Sequence, residues 1–587
     1  MHSQFYSILV TLIVTSVSVA SQPNVVVVVS DDQGWGDLSL HGNSNLHTPH
    51  LDQLAADGAR VEHFFVCPVC SPTRAELLTG RYHPRCGVFS TSSGGERLNL
   101  DEHTMAQSFS SAGYRTAAFG KWHNGTQPPY HPNSRGFDEF YGFCSGHWGN
   151  YFSPVLEHNG QLVRGNGFTT DDFTDKAIDF IHDSCTAEQP FFVLLAYNTP
   201  HSPMQVPDRW WNKFANKELN HFGTRKTAED INHTRAALAM CENIDWNVGR
   251  LLDKLDTLAI AHNTIVVFLS DNGPNGDRWN GQMKGRKGST DEGGVRSPLF
   301  VRWPARISPG TVVKQNAAVI DLFPTLAELA DVPRGNSKPL DGQSLQRWLF
   351  EPDTPATDRI LFSHWNGRIS ARTQRFRLDH QGQLFDMLAD PGQTNDVANR
   401  FPHEVDRLTV AIQDWKQDVV PDRFGQDDRP FTIGDATAPY TQLPVRDATL
   451  TGNLKRSNRF PNCSFVTHWQ QTTDQIRWDV DVLQAGRYRI QIYYSCAAAD
   501  VGSRLQLKCG EAATLPFQIS QPHDPPLMGA EHDRVVRAES YVKDFQPLEV
   551  GTMSLAAGRQ TLLLQASEVA HQNVMDLRLI MLTRVDD

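Results

Sequence analysis

Residues 24–30 read NVVVVVS and run into Asp31-Asp32; residues 264–270 read TIVVFLS and run into Asp271-Asn272. A β-branched run that is apolar on both faces suits a central parallel strand, because only a sheet covered on both sides buries both faces. PFFVLLAY (190–197), ending near His201, and SPLFVRWP (297–304) read as two more buried strands. Helical patterns lie between them: TPHLDQLAADGAR (48–60), with a Thr-Pro start and a Gly stop, TMAQSFSSAGYR (104–115), and the long amphipathic stretch 233–258. Strands alternating with helices predict an α/β fold with a mostly parallel central sheet flanked by helices. Sites in such sheets gather at the carboxyl ends of the strands, where both acidic pairs and His201 fall.

A chain of 587 residues is too long for one ordinary domain. Residues 1–20 read as a secretory signal, with a short apolar core from Ile8 to Val14 and a small-x-small cleavage site, Ser18-Val19-Ala20. The main α/β domain is expected over 21–350. A small α+β subdomain follows over 351–418, with a hairpin in RISARTQRFRLDHQGQLFDML and a helix in HEVDRLTVAIQDW. Pro421, Pro430, Pro439 and Pro444 among Asp and Gly predict a linker over 419–447. Beyond it the texture changes: Ile476, Trp478 and Val480 alternate with polar residues, as do Ile490, Ile492 and Tyr494. This predicts an all-β sandwich over 448–587.

The net charge of −12, with no long Lys/Arg block, argues against nucleic acid as the main partner. No segment after the signal has the unbroken apolar length of a membrane span. Nine cysteines are few for a disulfide scaffold of this size, and the count is odd. Cys67 is a candidate buried thiol or a disulfide partner for Cys86, and two of Cys463, Cys496 and Cys509 are a candidate pair. Asn124, Asn232 and Asn462 stand in Asn-x-Ser/Thr triplets.

Asp31, Asp32, Asp271 and Asn272 offer hard oxygen ligands at two strand tips, a set that suits Ca²⁺ or Mg²⁺ rather than zinc or copper. Either pair alone is also ordinary strand-end turn chemistry. Cys70 opens CSPTRAELLTG (70–80), where Pro72 suits a first helical turn and Gly80 a stop. Residue 70 therefore sits at a helix N-terminus, a natural anion site, with Arg74 one turn in. A thiol fits badly among hard oxygens, so either Cys70 lies away from the metal or it is no longer a thiol in the finished protein.

Cys70-Ser71-Pro72-Thr73-Arg74 with Leu78-Thr79-Gly80 resembles the signature of the formylglycine-dependent (type I) sulfatases of the alkaline phosphatase superfamily. GKWHNG (120–125), TPHSP (199–203), SDNG (270–273) and GRKGSTDEGGVRSP (285–298) are similar to that family's other motifs, in its order, across residues 24–304. The resemblance implies an arylsulfatase-like sulfuric ester hydrolase whose catalytic domain is 21–350. Cys70 is implied to be oxidised to Cα-formylglycine by a maturation enzyme that reads Cys-x-Pro-x-Arg. One Ca²⁺ per site is implied, held by Asp31, Asp32, residue 70, Asp271 and Asn272. The aldehyde hydrate at residue 70 then attacks sulfur in line, and its second hydroxyl expels the sulfate by elimination.

By the same resemblance, Arg74, Lys121 and Lys287 stabilise the sulfate oxygens, and His201 protonates the leaving oxygen. His123 hydrogen-bonds the hydrate, and Asp271 accepts the nucleophile's proton. Thr73 stands where Ser is common, and Cys86 where His or Thr is usual. His147 and Trp148 are candidates for a sugar subsite, with core packing the alternative. Arg135 and Asp138 are candidates for orienting substrate, with turn capping the alternative.

The reading that follows is an exported, periplasmic or secreted sulfatase acting on a sulfated carbohydrate or a small sulfate ester. Its sandwich resembles galactose-binding-like or carbohydrate-binding modules, with packing or dimerisation as the alternative role. A phosphonate monoester or phosphodiester hydrolase using the same site is the competing enzyme. A non-catalytic glycan-binding protein requires an unmodified Cys70.

Overall fold

A computed structural model describes residues 22–335, 338–511 and 513–585. The signal expected over 1–20 lies outside the described residues. In chain order, the strands of the main sheet are β1 (Asn24–Asp31), β2 (Ala59–Val61), β3 (Arg115–Lys121), β4 (Glu139–Phe143), β5 (Val155–His158), β6 (Gln161–Arg164), β7 (Phe191–Pro200), β8 (Thr264–Ser270), β9 (Leu299–Arg302) and β10 (Thr311–Val313). Their spatial order is β10-β2-β9-β8-β1-β7-β3-β4-β5-β6.

The middle of the sheet, β8-β1-β7-β3-β4, is wholly parallel. β9 runs antiparallel to both β8 and β2, and β5 and β6 add an antiparallel edge. SPLFVRWP is thus a strand of the opposite sense. β1 lies at the centre, with Val25 to Val29 at most 1% exposed. Val25, Val27 and Val29 pack on one face and Val26 and Val28 on the other, which is why both faces of the run are apolar. Helices α1 (Cys70–Thr79), α2 (Thr169–Thr186) and α3 (Ile231–Thr257) include those that cover the sheet.

A four-stranded antiparallel sheet from Leu361 to Asp386 and a helix, Pro402–Val419, form the next unit. Two six-stranded sheets then stack as a sandwich around Trp469, Trp478, Tyr488, Ile490 and Ile492, each at most 1% exposed. The linker expected over 419–447 is corrected: Phe431–Ile433 pairs with Gln475–Val482, and Tyr440–Pro444 pairs with Asp576–Val585. Pro430, Pro439 and Pro444 are tolerated there because they fall at strand ends, the positions where a proline least disturbs a ladder.

All nine cysteines are free thiols. Cys67 and Cys86 are buried and unpaired, and so are Cys463, Cys496 and Cys509. Asn124 and Asn462 are buried as well, so two of the three glycosylation triplets face inward. No helix among the described residues is long and apolar enough to cross a membrane.

Candidate active site

The parallel strands deliver their tips to one place. β1 ends in Asp31 and turns at Asp32, whose φ of +68° is uncommon for a residue with a side chain. β8 leads into Asp271-Asn272, β7 into His201, and β3 into Lys121 and His123. α1 begins at Cys70 and is buried along its whole length. Ligand atoms of Asp31, Cys70 and Asp271 lie within 4.8 Å of one another, and so do those of Asp31, Asp32 and His201.

Each carboxylate meets one cation. Lys121 Nζ lies 2.6 Å from Asp31 Oδ2, Lys287 Nζ 2.6 Å from Asp32 Oδ1, and Arg74 Nη2 2.9 Å from Asp271 Oδ2. Arg74 also donates to the Lys121 carbonyl at 2.7 Å, which ties α1 to the tip of β3. Asn272 Nδ2 donates to Asp32 Oδ1 at 2.8 Å. Asp31 Oδ1, Asp32 Oδ2 and Asn272 Oδ1 remain buried with no hydrogen-bond partner. A buried oxygen without a donor is costly, a carboxylate's most of all, so these two carboxylate oxygens and one amide oxygen fit a hard cation such as Ca²⁺ or Mg²⁺.

Burial, together with Asp31, pushes the Asp271 carboxyl up to about 6 against the pull of Arg74 and Lys121. Burial also works on Asp32, but Lys287 and His201 outweigh it and hold that carboxyl below the usual range. Burial pushes the Cys70 thiol up against the pull of Lys121 and Lys287. The thiol therefore stays protonated, unlike that of an activated cysteine nucleophile.

The histidines form a second layer. His201 is brought down to about 4 by burial and then by Lys287. Its Nδ1 donates to the Ser202 carbonyl at 2.6 Å, and its Nε2 stands 3.8 Å from Asp32 Oδ2. His147 stacks on His201 with ring centroids 5.8 Å apart, and its Nε2 is buried without a partner. His123 Nε2 lies 2.9 Å from the Thr91 carbonyl, while its Nδ1 has no partner. Thr73, the departure from the usual Ser, donates its hydroxyl to the Asp271 carbonyl at 2.6 Å and accepts from Cys67 N at 3.0 Å. A serine hydroxyl makes the same bonds, so the motif's geometry survives the exchange.

Arg135, Asp138 and Trp148 have structural contacts of the kind weighed as their alternative roles, and Cys86 is packed into the core. Arg135 spends its guanidinium on the carbonyls of Asn99, Leu100 and Glu102, so it braces a loop. Asp138 accepts from Thr116 N and Thr116 Oγ1, and so ties the approach to β4 onto β3. Trp148 stacks on Phe143, donates to the Val155 carbonyl, and lines a cavity of about 90 Å³ between the main sheet and the sandwich. Cys86 is buried beside Thr79 Oγ1.

Other contributors escaped the sequence reading. Tyr151 OH donates to the carbonyls of His201 and Ser202, at 3.0 and 2.9 Å. Two residues come from the sandwich. Asn462 Nδ2 lies 3.4 Å from His147 Nδ1, and Glu539 accepts from the Ser202 hydroxyl. Behind them Arg446, 2% exposed, donates to Asn462 Oδ1, Ser145 Oγ and Thr126 Oγ1. Asn462 stands in the sequence only as a glycosylation triplet, and nothing local marks Glu539.

Comparison with known proteins gives a consistent set of matches. The sulfatase family model matches residues 23–332. The chain is 31% identical over 385 residues to N-acetylgalactosamine-6-sulfatase of Mus musculus, covering 60% of this chain and 70% of that one. It is 32% identical over 432 residues to steryl-sulfatase of Mus musculus, covering 60% of this chain and 68% of that one. The crystal structure of Ps i-CgsB in complex with k-i-k-neocarrahexaose matches with a TM-score of 0.63 and 29% identity, covering 68% of this chain and 93% of that one.

Proposed function

The chain belongs to the sulfatase family and hydrolyses sulfate esters, and from that premise we propose that its substrate is a sulfated carbohydrate, cleaved at a Ca²⁺ site with formylglycine at position 70. The observation that carries the reading is the cluster itself. A protonated thiol sits within 4.8 Å of carboxylate oxygens of Asp31 and Asp271. An oxygen-bearing group at position 70 suits that neighbourhood where sulfur does not.

Asp31, Asp32, Asp271 and Asn272 would hold the cation, with the three unpartnered oxygens turned to it. Three carboxylates facing three cations leave the cluster near neutral, so a divalent ion gives it a net positive charge for an anionic sulfate. When present, the cation supplies Lewis-acid polarisation of the sulfate and the aldehyde hydrate at position 70 supplies the attacking oxygen. Arg74, Lys121 and Lys287 bind the sulfate oxygens and stabilise charge that builds on them. Asp271 takes the nucleophile's proton, and His123 orients the group at position 70. His201, as an imidazolium that the Asp32 carboxylate favours against burial and Lys287, delivers its Nε2 proton to the leaving oxygen, which a sugar alkoxide needs more than a phenolate does.

Cys70 is 3% exposed in a buried helix. A maturation enzyme must therefore reach Cys70-Ser71-Pro72-Thr73-Arg74 before the chain folds. Export through the signal at 1–20, to a periplasmic or secreted location, belongs to the same proposal. The carbohydrate assignment draws on the named relatives, one of which was crystallised with an oligosaccharide, and on the sandwich that reaches the site. Comparing kcat/KM on a panel of sulfated oligosaccharides, an aryl sulfate and an aryl phosphodiester tests it. Turnover of a sulfated sugar well above the phosphodiester is expected; a preference for the phosphodiester would overturn the reading.

A further inference from the structure

The segment 529–542 leaves the sandwich and fastens onto the main domain at several points. Arg534 donates to the Val206 carbonyl at 2.6 Å, Arg537 pairs with Asp533 and donates to the Gly149 carbonyl, and Gln205 donates to Asp533 Oδ1 at 2.9 Å. Glu539 is therefore presented on a fixed loop. One of its oxygens accepts from Ser202 Oγ, and the other is buried without a partner. The carbonyl of that same Ser202 accepts the Nδ1–H of His201 at 2.6 Å and the Tyr151 hydroxyl at 2.9 Å. His201 thus has its Nδ1 acceptor pinned from the core side by Tyr151 and from the sandwich side by Glu539. With Nδ1 committed as donor, Nε2 is the nitrogen left to face Asp32 and the cluster, and it has a proton to give only in the imidazolium form, which the Asp32 carboxylate favours.

We propose that Glu539 is a positioning residue for the leaving-group step: through Ser202 it holds His201 at the angle from which Nε2 reaches the ester oxygen. The inference rests on the assignment of His201 as the proton donor. The sandwich then supplies a working part of the active site, and a general acid set by a hydrogen-bonded shell loses rate steeply when that shell is loosened.

The test is a leaving-group series, from 4-nitrophenyl sulfate through phenyl sulfate to an alkyl sulfate, read as kcat and KM for the full chain. Glu539→Ala should lower kcat by about 10- to 100-fold for the alkyl ester and by much less for 4-nitrophenyl sulfate, with KM little changed. Glu539→Gln keeps an acceptor for Ser202 and should recover most of the loss. Ser202→Ala should reproduce the slope of Glu539→Ala, and the double variant should lose no more than either alone, as a shared path requires. If Glu539→Ala fails to fold, Ser202→Ala reads the same slope. A loss equal across the series, or one confined to KM, would overturn the inference. His201→Ala on the same series separates the two readings. If it shows the steep slope and Glu539→Ala does not, only the role of Glu539 falls. If His201→Ala is itself flat, the proton-donor assignment falls and this inference with it.

Discussion

A thiol that burial keeps protonated beside the carboxylates of Asp31 and Asp271 is neither a good nucleophile nor a good partner for a hard cation. Its replacement by a hydroxyl sharpens the point. Cys70→Ser gives an oxygen that can accept sulfate but cannot expel it by elimination, so steady-state turnover should fall by about 10,000-fold or more. A stoichiometric release of alcohol should remain, visible as a single burst. Sustained turnover by Cys70→Ser would contradict the role of residue 70. At Thr73 the test is milder. Thr73→Ser keeps the hydroxyl that bonds the Asp271 carbonyl and Cys67 N, so activity should stay within a few fold. Thr73→Val has nearly the same shape but strands both buried groups, so it should cost about 1–3 kcal/mol in denaturant titration. Most of these residues were legible in the sequence, because each stands at a strand tip or helix start that its own neighbours define. Arg135 and Trp148 were not: nothing local told a loop brace from a substrate contact.

Helix α1 carries a second ionisable group with its own pH signature. Glu76 is 4% exposed, accepts from His83 N at 3.1 Å, and is pushed up to about 8 by burial. Its folded pKa stands above its unfolded value near 4.5. The stability of the neutral form is therefore full below that unfolded value and is lost as pH rises through about 8. Glu76→Gln stays uncharged throughout. Its Tm should match the parent near pH 4 and exceed it increasingly toward pH 9; parallel Tm curves would contradict a buried, neutral Glu76. At this scale the sequence also spoke clearly about β1, β7 and β8, whose apolar runs match their burial on both faces. It misled over 419–447, because four prolines read as a linker although the strands beside Pro430, Pro439 and Pro444 join the sandwich.

On the scale of the whole molecule, the two halves share a buried seam. Arg446 and Glu96 face each other at 3.5 Å with side chains 2% exposed, and Arg446 also holds Asn462 and Ser145. Arg446→Met strands Glu96 and Asp447 and should cost about 3–5 kcal/mol. Truncation after residue 418 should remove more than about 99% of activity while keeping every motif residue. An active, soluble truncated protein would show that the sandwich is only an appendage. Sequence reading could not reach this seam, because Asn462 and Glu539 meet the site only through long-range docking.

The central claim is that residue 70 works as an aldehyde, and the tryptic peptide spanning 61–74 tests it directly. It contains both Cys67 and Cys70, so the first serves as an internal reference. In active protein made with the maturation enzyme present, mass spectrometry should show a loss of about 18 Da relative to two thiols, a change outside the ordinary thiol oxidation ladder, with fragment ions placing it at residue 70. Fully active protein in which both residues remain cysteine would contradict the account.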